Sequence, residues 1–292
     1  MDLEAETMPI SGGSRYVGQK SARGRHGVAL SWSARLLFAA CWMSGAIFAV
    51  YIIAFFGGAA LNSAGQRWNE ALPGLYDVHS PLTTIAIGAH FVAGGVLLFL
   101  GPIQLIGRLR RAVPGLHRWL GRAYVISAGV AGVGGLAFII GQGTIGGPLM
   151  DVGFGLYGAL MVLCATMAYV DARSGRYDRH RAWAIRLFAL TIGSWLYRLE
   201  YGLWFLLFGN IGRAAGFSGW FDVIMVFFFY IPNLIIAELF IRASRKGRVA
   251  VADFGAATLL LAASAFIIVA TWIFISNVWG PRMISVFVGS ST

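Results

Sequence analysis

Two short segments hold the residue types best suited to chemistry. Arg108 to Tyr124 reads RLRRAVPGLHRWLGRAY, and Arg179 to Phe188 reads RHRAWAIRLF. Each carries a His-Arg pair, His117-Arg118 and His180-Arg181, followed by a later arginine, Arg122 or Arg186. At helical spacing His117, Gly121 and Tyr124 fall on one stripe, with Arg118 and Arg122 on the next. Arg179, Trp183 and Arg186 likewise share a face, with His180 and Arg181 alongside. Neutral imidazole ligates iron and moves protons at ordinary pH, while the guanidinium fork pairs with carboxylate and phosphate. The pattern therefore suits two chemistries: iron held between His117 and His180, or an anion held by the arginines.

A second set of ionisable residues lies within apolar runs, where charge is costly and points to function. His90 lies about 27 Å along its run from Arg108, and Arg198 about 25 Å from Arg181, at about 1.5 Å per residue. Both belong to one layer of the bilayer, with Glu200 and Asp222 at similar depth as candidate counter-charges for Arg198. Glu238 lies four residues before Arg242, in the opposite layer with Arg122, Arg186 and the two His-Arg pairs. A carboxylate at that depth needs a cationic partner, and Arg122 and Arg186 are the candidates.

The elements that must position these residues are membrane helices. Of 292 residues, 58% are hydrophobic and only 12% charged, against about 25% charged in a soluble domain. Seven apolar blocks, near 36–58, 82–107, 120–141, 152–170, 183–208, 220–241 and 254–277, are each of a length to cross a ~30 Å hydrocarbon core. This predicts an all-α polytopic bundle of about seven helices: a basic, disordered tail over 1–33 and a single membrane domain over 34–292. The tail is too long and polar to begin a cleaved signal peptide.

The net charge of +11 is no nucleic-acid footprint, because the basic residues lie in the loops between apolar blocks. Nineteen of the 23 Lys and Arg fall on one side of the predicted membrane; Arg67, Arg213 and Arg282 fall on the other. By the positive-inside rule the N-terminus is cytoplasmic, with the loops against anionic lipid headgroups. Trp32, Trp119, Trp183, Trp220 and Trp279 fall near the predicted interfaces. Glycines cluster in the third and fourth blocks (Gly129, Gly132, Gly134 and Gly135; Gly153, Gly155 and Gly158), predicting close packing of those two helices. Cys41 and Cys164 lie inside apolar blocks and read as packing residues.

The array His90…Gly94…Leu100-Gly101-Pro102-x-Gln104, then His117-Arg118-x-x-Gly121-Arg122-x-Tyr124, then His180-Arg181-x-Trp183-x-x-Arg186 resembles a family of bacterial membrane proteins known as a domain of unknown function. The likeness continues through Arg198 and Pro232-Asn233…Glu238 and covers roughly residues 80–240. It implies a multi-helix membrane fold and brings no activity with it.

No phosphate-binding loop, dinucleotide glycine fingerprint, His-Glu-x-x-His helix, Cys-x-x-Cys-His haem attachment or Gly-x-Ser-x-Gly elbow occurs. The only enzymatic reading left is a membrane oxidoreductase. Three readings stay open. The first is electron transfer through a b-type haem clamped by His117 and His180, with arginines on its propionates. The second is binding or transport of an anionic lipid or small molecule by Arg118, Arg122, Arg181 and Arg186, with a proton path through His90 and Glu238 and a local break of the sixth helix at Pro232-Asn233. The third is a structural role, in which polar residues only hold the bundle together.

Overall fold

The structure is a computed structural model and describes residues 13–245 and 253–288. Those residues are helical throughout, apart from short turns. α1 (Gly13–Tyr51) runs through a π-helical turn, Ile52–Gly57, into the short α2 (Gly58–Leu61). After a loop come α3 (Pro81–Leu105), the single basic turn α4 (Gly107–Ala112), α5 (Pro114–Gln142), α6 (Gly147–Arg173) and α7 (Tyr177–Phe208). α8 (Trp220–Phe228) and α9 (Ile231–Arg245) form one broken rod, and α10 (Asp253–Phe274) continues through a second π turn into α11 (Gly280–Val288).

Six of these helical stretches are long and apolar enough to cross a membrane: 28–61, 81–105, 114–142, 147–173, 220–242 and 255–286. The seventh long helix, α7, has 32 residues but includes Asp178, Arg179, Arg181, Arg186, Arg198 and Glu200. It is packed against α1, α3, α6, α9 and α10. An all-α polytopic membrane bundle is what the apolar blocks predict, and it is what forms.

Two details depart from the sequence reading. The helix begins at Gly13, inside the stretch whose composition predicts disorder; residues 1–12 lie outside the described residues. Residues 13–33 contain no proline, so extending an already nucleated apolar helix backwards costs far less than starting one. Trp279 is not an interfacial anchor. It is only 2% exposed and packs among Phe48, Tyr51 and Phe274. Trp32, Trp119 and Trp220 are exposed, as interfacial anchors should be.

Close packing of α5 follows its glycines. A methyl group on Gly132 would come 2.9 Å from the Gly158 carbonyl of α6. On the opposite face, one on Gly134 would come 2.5 Å from the Ala86 carbonyl of α3. The α3–α5 and α5–α6 pairs are accordingly among the most extensive in the molecule. In lipid, where burial gives helices no reason to associate, such contact is the main source of attraction.

The rod α8–α9 breaks at Phe229–Tyr230, immediately before Pro232. Pro232 lacks the N–H that would have continued the ladder. The break also lets α7 approach, since a methyl on Gly193 would lie 2.7 Å from the Phe229 carbonyl.

The α3–α5 contact makes a sharp prediction. Gly134→Ala forces a methyl against a backbone oxygen that cannot turn aside, and should destabilise by about 1–3 kcal/mol. Gly129 has open space around it, so Gly129→Ala should be neutral or stabilising. Thermal unfolding of the two variants in detergent checks the contrast; equal melting temperatures would mean that the α3–α5 contact is loose.

Candidate functional site

The two histidines of the basic segments occupy equivalent positions. α5 starts at Pro114 and α7 at Tyr177, so His117 and His180 are each the fourth residue of a helix. Pro114 suits the first turn, where no N–H is needed. The start of α7 is fixed by Asp171 at the end of α6, a carboxylate with no exposed surface. Arg176 Nε donates to it at 2.7 Å and Arg179 Nε lies at 3.4 Å, across a turn closed by Gly175 at φ +69°.

His180 is then oriented by a hydrogen bond between its Nδ1 and the Ala168 carbonyl of α6, at 2.8 Å. A carbonyl only accepts, so Nδ1 carries the proton and Nε2 keeps its lone pair. His117 is half-buried, its Nδ1 is buried without a partner, and it lies near enough to His180 and Arg110 to interact electrostatically.

Beneath them, at the last turn of α3, the Gln104 amide nitrogen is also buried and unpartnered. The Gln104 side-chain oxygen lies 3.5 Å from where a methyl on Gly121 would stand, which places Gln104 one helical turn from His117. Deeper still, Tyr124 is buried and donates to Thr191 at 2.9 Å, and Thr191 passes the bond to the Leu187 carbonyl at 3.0 Å. Gly101 lets α3 close over this level, since a methyl there would come 3.3 Å from the Tyr124 ring and 3.2 Å from Phe188. The stripe His117–Gly121–Tyr124 thus runs along a polar column between α3, α5 and α7. Tyr124 is a structural floor of that column.

The arginines divide into two groups. Arg186 is held by Glu238, Nη2 to Oε2 at 2.7 Å, while Arg242 takes the other carboxylate oxygen at 2.9 Å. Arg186 also lies 4.7 Å over the Trp183 ring. Of the two partners expected for Glu238, Arg186 is therefore the one used, and its charge is neutralised. Arg118, Arg122 and Arg181 are exposed, and none is in an ion pair among the described residues. Arg122 only stacks on Trp119.

A separate layer lies deeper. His90 on α3 shares a hydrogen bond between Nδ1 and the Ala131 carbonyl of α5 at 2.7 Å, and Arg198 on α7 is close enough to affect it electrostatically. Neither expected counter-charge for Arg198 is used. Asp222 is buried and accepts from Tyr201, Ala214 N and Gly219 N at 2.7, 3.0 and 3.1 Å; it caps α8. Glu200 is two positions along the same helix, which turns it to the other side of α7. Arg198 instead donates to the Ser194 carbonyl at 2.7 Å and leans on the Phe48 ring at 5.1 Å.

The candidate residues thus form two groups, with His117, His180, Gln104 and the neighbouring arginines at one membrane face and His90 with Arg198 inside. A family model described as "Predicted membrane protein (DUF2306)", a domain of unknown function, matches residues 87–241. The chain belongs to this family. The matched segment contains every site residue named from the sequence. No curated protein and no solved structure matches the chain. Within the DUF2306 segment, sequence reasoning missed Asp171. The spacing Asp171…Arg176…Arg179 across a Ser-Gly turn was the available signal, and it passed as ordinary loop charge.

Because Asp171 is wholly buried and Glu238 is about a third exposed, the two ion-pair hubs should differ in weight. Asp171→Ala removes the partner of two arginines and the anchor of the α6–α7 turn. It should lower the melting temperature in detergent clearly more than Glu238→Gln, whose arginines can turn to water. Equal losses would show that the turn at Asp171 is not what sets the start of α7.

Proposed function

We propose that this member of the DUF2306 family is a bacterial inner-membrane protein, N-terminus in the cytoplasm, whose His117–Gln104–His180 cluster binds a b-type haem between the two imidazoles. The carrying observation is the state of His180. Its Nδ1–H is fixed on a backbone carbonyl, the arrangement that orients a ligating histidine and leaves Nε2 free. His117, at the same helical position across the bundle, has a buried nitrogen without a protein partner. Among the described residues no group of three or more His, Cys, Asp and Glu is placed to hold a metal ion. Iron at a two-histidine site must bring its remaining ligands with it, as in a porphyrin. Arg118, Arg122 and Arg181, free of carboxylates, suit the propionates. A bis-imidazole haem supplies one-electron transfer, and the surrounding helices contribute orientation and exclusion of water.

A second reading rests on the same three arginines. Unpaired and exposed beside a basic loop, they suit an anionic lipid headgroup or a small anionic substrate. Arg186, held by Glu238, leaves that site one cation short of the four in the sequence pattern.

Absorption spectra of the detergent-purified protein, oxidised and reduced, decide between them. Haem binding gives a Soret band, and His117→Ala or His180→Ala removes it. For an anion site no such band appears, and Arg118→Glu or Arg181→Glu strips co-purified anionic lipid far more than either histidine change. Orientation is tested apart from the ligand: reporter fusions after residues 145 and 285 should both signal from outside the cytoplasm, and a cytoplasmic signal from either overturns the topology.

A further inference from the structure

The far end of α7 carries a second site, independent of the inner-leaflet cluster. Between α7, α8 and Phe266 of α10 lies an open groove of about 360 Å³, within the ~300–1,000 Å³ usual for small-molecule sites. Ten of its eleven lining side chains are apolar, six of them aromatic; the eleventh is Glu200. One wall is flat, with Trp204 and Phe221 stacked at 4.1 Å and 14° and Trp220 edge-on to Trp204. The rim residues Leu207, Trp220, Ile224 and Phe228 are exposed. In a bilayer the groove therefore opens sideways, towards lipid.

Glu200 is the anomaly. Its Oε2 is buried and has no hydrogen-bond partner. Among the described residues no hydrogen bond or ion pair reaches it: Asp222 is fully engaged, Arg198 is committed on the other side of α7, and Arg213, whose own Nε is also unpartnered, is stacked over Tyr201 and Phe205 instead. A buried carboxyl oxygen left unpaired is costly, so the groove lacks one hydrogen-bond donor.

The occupant is narrowed by depth and shape. Glu200 lies eight residues before the end of α7, about 12 Å along it, inside the hydrocarbon. That is too deep for a cationic headgroup whose phosphate must stay in water. A bare acyl chain would fill the apolar walls and leave Oε2 unpaired. A flat hydroxyl-bearing ring soluble in the bilayer meets both conditions. We propose that this groove binds a quinol, its hydroxyl donating to Glu200 and its ring lying against the Trp204–Phe221 wall.

The test uses the full-length protein in phosphatidylcholine nanodiscs and the short-tailed probe decylubiquinol, radiolabelled. Binding should be saturable, at least tenfold weaker in Glu200→Leu and lost in Ile224→Trp, which fills the groove. Because Glu200 makes no hydrogen bond or ion pair among the described residues, Glu200→Leu should melt no lower than the wild type, which separates a ligand contact from a structural role. The proposal is overturned if Glu200→Leu binds the quinol as tightly as the wild type or is markedly less stable. It is overturned equally if the probe does not saturate, meaning that only acyl chains occupy the groove, or if dodecyltrimethylammonium saturates it and the quinol does not.

Discussion

Inside a bilayer a polar side chain has no water to turn to, and every donor or charge must be answered by another part of the chain. α7 states the difficulty most sharply, since it threads the bundle with four arginines and two acids. Its surroundings follow from that constraint. Arg179 reaches back to Asp171, Arg186 across to Glu238, Arg198 to a carbonyl and a phenyl face, and Thr191 receives Tyr124. Helices that are apolar all round can sit anywhere in a bundle. One with this many claims sits at its centre, and five other helices arrange themselves around it.

Against that background, the few groups left unanswered stand out. Among the described residues they include His117 Nδ1 and the Gln104 amide at one face and Glu200 Oε2 and Arg213 Nε towards the other, besides Trp42, Tyr230 and one oxygen of Asp171. A protein that satisfies Asp222 three times over within a single cap does not leave such atoms bare for want of partners nearby. The placement of the first pair at a column mouth and of Glu200 in a groove is what makes binding the natural reading of both.

Much of this was legible in the residues. The apolar blocks fall on the observed helices because only a helix satisfies its own backbone in hydrocarbon, and the break near Pro232 follows from its missing N–H. The equivalence of His117 and His180 is visible in the repeated His-Arg entry, and the Glu238–Arg186 pair in the cost of an unpaired acid. What was not legible depends on contacts distant in sequence. Asp171 looks like any loop acid until the Gly175 turn brings two arginines onto it. Trp279 looks like a surface anchor until the π turn swings it onto Tyr51. The pairing of Arg198 was misjudged because depth alone says nothing of which side of a helix a side chain leaves.

One bond carries a consequence for how the protein is made. Ser44 of α1 is hydrogen-bonded to Thr271 of α10, and the Trp195 indole of α7 donates to the same Ser44 oxygen at 3.1 Å. These three helices leave the ribosome at widely different times, and more than two hundred residues separate Ser44 from Thr271. α1 must therefore wait in the bilayer, its Ser44 met first by Trp195 of the DUF2306 segment and by Thr271 only at the end. The arrival of α10 closes the bundle, so assembly is completed by a late helix docking beside an early one, from outside the family segment on either side.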